Sequence, residues 1–421
     1  MMQEIPMNSF PRPLELFMAV RYKSNCAALL ESAEGPLNRS RFSIVAWGER
    51  DRFALKQGSK LDERLFRERL RKVEPLEVPG MFKGGYIGYF SYETVANFEK
   101  LKLPMDSEGW PQLEFFMPEN VAVYDNLNLS VYTTDHDVRG MDINSKPRFL
   151  LKNESMSDQE YMNSVKRVKM LIEKGYTFQT VISKSYSYAV EGDAGLIYKR
   201  LRKINPSPYM YYLKFDDRQV IGSSPETLFR VNSGLVETFP IAGTRPRGSS
   251  PEADLALERE LVTSEKERAE HMMLVDLARN DIGKVCAPGT VKVTELMYIE
   301  KYSHVQHMVS RVIGSVINGF DCIDVLRATF PAGTVTGAPK PISMKIIARE
   351  EGTGRGPYAG AVGYFSAVGN AEFSIAIRSA FINGSTIRVQ AGAGIVYDST
   401  PEGELQEVKH KLMALKSSMG V

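Results

Sequence analysis

Cysteine is scarce in this 421-residue chain. Cys26, Cys286 and Cys322 stand far apart, and none belongs to a Cys-x-x-Cys pair. An odd, scattered set in a long chain excludes a disulfide framework and a zinc knuckle. Excess charge is missing too. Fifty-three basic residues nearly balance fifty-one acidic ones, for a net charge of +2 with no long run of one sign. Neither a nucleic acid nor an anionic membrane surface is therefore expected as a partner. No apolar run approaches membrane-spanning length, and the opening MMQEIPMNSFPRP lacks a basic-then-apolar leader pattern. The expected location is the cytoplasm. What remains is 43% hydrophobic and 25% charged, an ordinary globular composition, long enough for a large core and several layers.

Residues 1–145 alternate short apolar runs with turn residues. Strands are expected at Ala28–Leu30, Arg41–Trp47, Gly84–Phe90 and Asn120–Thr133, with a charged helix over 62–74. The glycines of Gly84-Gly85-Tyr86-Ile87-Gly88 point to close backbone approach. Polar residues 140–157 make the best boundary, and a second region over 155–421 is expected to interleave with the first. It opens with a helix from Asp158 to Lys174, Gly175 standing at its end, then a strand at Phe178–Lys184. Thr329–Pro341, TFPAGTVTGAPKP, reads as a rigid, shaped loop. Three strands are expected after it, Tyr358–Val368, Glu372–Ile382 and Thr386–Gln390. This is an α+β pattern, not a βαβ repeat.

Chemistry-bearing residues concentrate on two helices. Ser264–Asp281 should be helical, with Met272, Leu274, Val275, Leu277 and Ala278 near helical spacing. Glu267 and Glu270 are three apart, so both carboxylates leave one face. A solvated first turn would account for them equally well. Near the C-terminus, Ser399-Thr400-Pro401 forms a start signal. Glu404 and Glu407 then repeat the spacing beside a Leu405, Val408, Leu412, Leu415 stripe. Together the two pairs could surround one hard divalent cation. Oxygen-only ligation suits Mg²⁺ better than Zn²⁺. On the middle expected strand Arg378 shares a face with Ser374, Ala376 and Ala380, either to bind an acidic substrate or to pair with a structural acid. Small residues at Gly392-Ala393-Gly394 could expose backbone N–H groups to a carboxylate, or mark a bulge; Gly243-Thr244 carries the same ambiguity.

Seven blocks in one order resemble the chorismate-utilising enzymes: PIAGTRPRG (240–248), the Glu267–Asp281 helix, SHVQHMVSRV (303–312), TFPAGTVTGAPKP (329–341), GPYAGAVGYF (356–365), IAIRSA (375–380) and AGAGIVYDSTPEGELQEVKHK (391–411). The resemblance implies an α+β fold of two packed antiparallel sheets (an orthogonal β-sandwich), with helices outside and the active site in a cleft. Gln179 stands where isochorismate-forming members carry the Lys that activates water. Ala242 stands where aminodeoxychorismate-forming members carry a nucleophilic Lys. With neither present, the resemblance implies a Mg²⁺-dependent lyase using free ammonia, one that turns chorismate into anthranilate and pyruvate on the route to tryptophan.

By the same resemblance, Glu270 and Glu407 are the direct Mg²⁺ ligands, with Glu267 and Glu404 acting directly or through water. Gly243, Thr244, Tyr358, Arg378, Gly392, Ala393 and Gly394 bind substrate. Glu226, in Ser-Pro-Glu, is the candidate acid for the departing hydroxyl, or a turn cap. His307 assists the same proton handling, or is an ordinary core histidine; Thr329 and Thr334 help close the site, and His304 is read as structural. LLESAE (29–34) and NPSPYM (205–210) resemble a tryptophan feedback site, which places Glu31, Ser32, Pro208, Tyr209 and Met210 in it. None of the cysteines has the surroundings of a glutaminase nucleophile. A separate glutamine amidotransferase subunit is therefore implied, in an α2β2 heterotetramer.

Overall fold

The computed structural model describes residues 2–33, 41–142, 147–303 and 305–421. Glu34 of LLESAE, His304 and residues 143–146 of the expected boundary lie outside them. Every strand pair among the described residues is antiparallel, and the strands form two large sheets. The twelve-stranded sheet runs Gln3–Pro6, Ser130–Thr133, Asn120–Asp125, Phe42–Trp47, Cys26–Glu31, Tyr209–Phe215, Arg218–Ser224, Ser379–Asn383, Thr386–Ile395, Gln179–Glu191 and Gly337–Ala338, with Arg148–Glu154 also on Gln179–Glu191. The ten-stranded sheet runs Ile241–Pro246, Val305–Ser315, Leu235–Thr238, Thr227–Asn232, Ala371–Ile375, Ala361–Ser366, Gly85–Phe90, Leu113–Met117 and Asp51–Leu55, with Lys292–Lys301 also on Val305–Ser315. Both sheets mix strands from before residue 145 with strands from after 155.

The larger sheet is covered on both faces, and its sequence records this. In Cys26–Glu31, Cys26 and Ala28 enter the core between the sheets, while Ala27 and Leu29 enter the core on the opposite face. Side chains alternate along a strand, so a run such as CAALL is apolar throughout only because each face meets a separate core. The outer core is closed by the Pro13–Val20, Asp158–Glu173, Gly195–Ile204 and Pro401–Met419 helices, which contribute Phe17, Val165, Tyr198 and Leu412. Helix ends follow the expected chemistry. Ser157 and Glu160 form a capping box for Asp158–Glu173, and Gly175 follows in the left-handed region at φ 76°. Thr400, rather than Ser399, caps the last helix by accepting from the Gly403 N–H.

Four strand expectations change. Asn120–Thr133 is two paired strands, Asn120–Asp125 and Ser130–Thr133, joined by a turn. Glu372–Ile382 is two strands, one in each sheet, separated at Ala376–Arg378 where the backbone turns and Arg378 takes φ 50°. The single alternating face shared by Ser374 and Arg378 therefore does not exist. Thr386–Gln390 extends to Ile395, so the Gly392-Ala393-Gly394 run lies inside a strand instead of at its end. Tyr358 precedes its strand, which opens at Ala361. Met272 is also exposed; the buried positions of its helix are His271, Leu274, Val275, Asp281 and Ile282.

An aromatic cluster packs across neighbouring strands of the ten-stranded sheet. The Phe373 ring lies 4.8 Å from Phe365, 5.4 Å from Phe229 and 5.8 Å from Phe90. Gly88 and Gly363 face each other across adjacent strands beneath it. A Cβ on Gly88 would meet the Glu114 carbonyl oxygen at 2.0 Å, so close approach forbids a side chain there. Phe373→Ala should cost about 3–5 kcal/mol through the cavity it leaves. Leu150→Ala, at a 73% exposed position, should change stability by less than about 0.5 kcal/mol. Urea unfolding of both variants checks the contrast.

Candidate active site

The site grows from a seam between the sheets. Arg218–Ser224 belongs to the large sheet and Thr227–Asn232 to the smaller, so the chain crosses at Pro225-Glu226. It crosses back at Ala376–Arg378, between Ala371–Ile375 and Ser379–Asn383. The two crossings lie side by side: the Ser223 N–H donates to the Arg378 carbonyl (3.2 Å), and the Ile375 N–H donates to the Glu226 carbonyl (3.0 Å). This exchange places a carboxyl and a guanidinium together. Arg378 holds its left-handed φ here, a cost tolerated where surrounding structure fixes the chain. Among the described residues its guanidinium has no ion pair or side-chain hydrogen bond. That removes the reading in which it merely pairs with a structural acid.

Glu226 is buried and accepts from the Thr334 hydroxyl at 2.8 Å. Burial pushes its carboxyl up to about 7, against the opposing Thr334 hydrogen bond and the charges of Arg378 and Lys411. His307, on the neighbouring strand, has Thr244 Oγ1 at 2.8 Å from its Nδ1. Burial first, then the Arg378 charge, lower it to about 4, so the ring is neutral near pH 7. Gly243 occupies a bulge at φ 80°, where register shifts between Ala242 and Thr244. A Cβ there would lie 3.0 Å from Glu267 Oε2, which ties this strand to the first acidic helix.

The acidic helices converge from distant parts of the chain. Burial raises the Glu270 carboxyl, and Glu267 and Glu407 raise it further; burial likewise raises Glu404, with Glu407 adding to it. Two of the four are engaged by cations, Glu267 by Arg245 (3.0 Å) and Glu407 by Lys411 (2.7 Å). Among the described residues no three acidic, His or Cys side chains form a ready cage. The chemistry of the donor set still fits a hard cation: all are carboxylates, their charges disfavour one another, and Mg²⁺ characteristically takes few protein ligands beside water and substrate. Lys411 also donates to the Gly392 carbonyl at 3.0 Å. Gly392, Ala393 and Gly394 pair with Ser183, Ile182 and Val181 on one edge, while pairing on the other edge ends at Val389. Among the described residues no strand covers that second edge of Gly392–Gly394, although Lys411 already meets the Gly392 carbonyl.

Tyr358 is buried with the Arg355 guanidinium 5.6 Å from its ring centre. Arg355 is itself 1% exposed, salt-bridged to Glu351, and donates to the Val335 and Val181 carbonyls at 2.7 and 3.0 Å. Neither Arg355 nor Lys411 stood out in the sequence. Arg355 follows a glycine-rich turn without periodicity, and Lys411 reads as one more solvated lysine on a helix. Among the described residues the buried Gln179 Oε1 has no hydrogen-bond partner, and its amide nitrogen lies 2.4 Å from where a Gly394 Cβ would be.

A second cavity lies elsewhere. About 470 Å³ opens between the sheets, and Glu31, Ser32, Pro208, Tyr209 and Met210 all line it, with Arg230 and Glu372 opposite. Glu31 receives Arg202 at 2.6 Å and the Tyr198 hydroxyl at 2.9 Å. Tyr209 Oη lies 2.7 Å from the hydroxyl of Thr227, the residue after Glu226.

Comparison with known proteins gives the family. A family model described as chorismate binding enzyme matches residues 25–417. The chain is 50% identical to anthranilate synthase component 1 of Saccharolobus solfataricus, covering all of both chains, and 42% identical to that of Methanothermobacter marburgensis, covering 97% and 93%. The crystal structure of anthranilate synthase component I from Streptococcus pneumoniae superposes with a TM-score of 0.79 at 34% identity, over 92% of this chain and 93% of that one. The menaquinone-specific isochorismate synthase of Escherichia coli, at 20% identity and a TM-score of 0.78 over 100% and 94%, shares the fold. The chain belongs to the chorismate-binding enzymes, among the lyases named anthranilate synthase component 1.

Proposed function

We propose that this chain converts chorismate and ammonia into anthranilate and pyruvate, using Mg²⁺ and ammonia from a partner glutamine amidotransferase. The observation that carries the reading is the presence of the Glu267–Glu270 and Glu404–Glu407 carboxylates, with Glu407 acting on Glu270 across the two helices, beside Glu226, Arg378 and neutral His307. Glu270 and Glu407 would hold Mg²⁺ directly, and Glu267 and Glu404 directly or through water. When bound, the ion would neutralise and orient the ring carboxylate. Arg378, Tyr358 and the backbone from Gly392 to Gly394 bind the enolpyruvyl carboxylate, while Gly243 and Thr244 lie against the ring. Ammonia adds at ring carbon 2 as the carbon 4 hydroxyl leaves. Protonated Glu226, held by Thr334, delivers the proton that makes this group water. His307, neutral, accepts or relays a proton beside it. Loss of pyruvate then aromatises the ring. Absence of a lysine at Gln179 and Ala242 favours ammonia over water or an enzyme amine as the nucleophile.

The name component 1 carried by the relatives supports a second component, and an α2β2 assembly is the expected form. Tryptophan is the proposed occupant of the 470 Å³ cavity. An amino acid needs both charges matched, and Arg41, Arg230, Glu31 and Glu372 line one apolar space. The contact of Tyr209 with Thr227 gives its occupancy a direct route to Glu226. No helix among the described residues is long and apolar enough to cross a membrane.

Purified chain mixed with chorismate, Mg²⁺ and ammonium salt should develop anthranilate fluorescence that needs both ions. Glu270→Ala should lower kcat/KM on the order of 100-fold or more and weaken Mg²⁺ binding in calorimetric titration. Chorismate loss without fluorescence would instead identify an enzyme that stops before pyruvate elimination.

A raised Glu226 carboxyl that acts as an acid works while protonated. The rate should therefore hold below about 7 and fall as pH rises through that value. Glu226→Gln should remove this limb and most of the activity, measured as kcat against pH.

Ser32→Phe should leave turnover near that of the parent and abolish inhibition by tryptophan. Unchanged inhibition would remove tryptophan from this cavity.

A further inference from the structure

We propose that Lys340 is a positioning residue whose ammonium closes the loop from Thr329 to Lys340 and thereby sets Thr334 against Glu226. The inference rests on the acid role given to Glu226 above. Lys340 is 9% exposed and opens the Lys340–Glu351 helix. Its Nζ donates to the Thr329 carbonyl at 2.9 Å and to the Asp281 carboxylate. Thr329 ends the Cys322–Thr329 helix, so the ammonium satisfies one of that helix's open carbonyls, at the end where a cation is favoured. One side chain thus joins both ends of the loop. Through Asp281 it also joins them to the helix that carries Glu267 and Glu270.

The two halves of the loop are held differently. The second half is laced to the rest of the protein by backbone: Ala338 accepts from the Phe178 N–H and Thr336 from the Val181 N–H, each at 2.8 Å, and Val335 accepts from Arg355 at 2.7 Å. The first half, Phe330 to Thr334, has no such ladder among the described residues. Its anchors outside the loop include the Phe330 ring, 6.1 Å from Phe90 and 6.4 Å from Phe98, the close packing of Gly333 on Leu277, and the Lys340 bond at its root. Within the loop, the Thr336 hydroxyl donates to the Ala332 carbonyl at 2.7 Å. Thr334 must reach Glu226 from this less supported half. The charges that act on Glu226 are those of Arg378 and Lys411, so Lys340 works through geometry and not through its own field.

The test measures Glu226 ionisation by infrared difference spectroscopy against Glu226→Gln, alongside kcat and KM across pH. Lys340→Met alone leaves Asp281 buried beside only Lys284, so Lys340→Met combined with Asp281→Leu is the main variant, with circular dichroism as the folding check. Loss of the Thr334 donor removes a hydrogen bond that favours the carboxylate. The Glu226 ionisation should therefore move upward, by about half a pH unit or more. Thr334→Val should give the same shift, and the combined variant no further one. kcat should fall roughly 10–100-fold with KM little changed. An unmoved Glu226 ionisation in the Lys340 variant, or shifts that add to that of Thr334→Val, would overturn the inference. If Glu226→Gln keeps the alkaline limb, the acid role fails, while the infrared shift still decides whether Lys340 sets Thr334.

Discussion

The double crossing between the sheets is the constraint on which the site depends. An antiparallel pair can leave one sheet and enter another only where both strands bend together. Here the bends are fixed by two backbone hydrogen bonds, from Ser223 to Arg378 and from Ile375 to Glu226. The bend removes local side-chain alternation and replaces it with a carboxyl and a guanidinium aimed at one place. Because both crossing segments lie between well-packed sheets, their strain is held by the surrounding core and not by local sequence.

Burial then gives these groups their chemical character. Glu226 lies where its charged form is disfavoured, and the Thr334 hydroxyl with the charges of Arg378 and Lys411 moderates that without cancelling it. His307 is driven the other way and stays neutral. Burial first, and then the neighbouring Glu267 and Glu407, raise the proton affinity of Glu270, burial and Glu407 do the same for Glu404, and a cation would reverse that preference. The cavity holding Glu31 and Tyr209 shares the Thr227–Asn232 and Ala371–Ile375 strands with this region. A ligand wedged between the sheets would therefore press on the strands that leave the seam. The proposed regulatory and reactive regions are two uses of one intersheet space.

The helical elements were legible because their signals are local. Ser157 with Glu160, Thr400 with Pro401, and the Leu405, Val408, Leu412, Leu415 stripe each specify a structure within a few residues. The Glu372–Ile382 run was misread for the same reason. Its alternation is good strand pattern on both sides of Ala376, and nothing within eleven residues says that the two halves belong to different sheets. Arg355 was illegible because its role comes from carbonyls of Val181 and Val335, which it meets only after the fold forms.

Residue type and spacing alone determined the two acidic helices, the capped ends, the rigid proline-glycine loop and the absence of metal-binding cysteine. They also carried seven ordered blocks whose resemblance named the family. Tertiary structure decided which sheet each strand joins, where Arg378 points, that Lys411 reaches the Gly392 carbonyl, and that Glu226 lies deep enough to hold a proton near neutrality. The division has a physical cause. Hydrogen-bonded turns and amphipathic faces are set by neighbours a few residues away, whereas desolvation and charge coupling depend on groups hundreds of residues apart that only packing brings together.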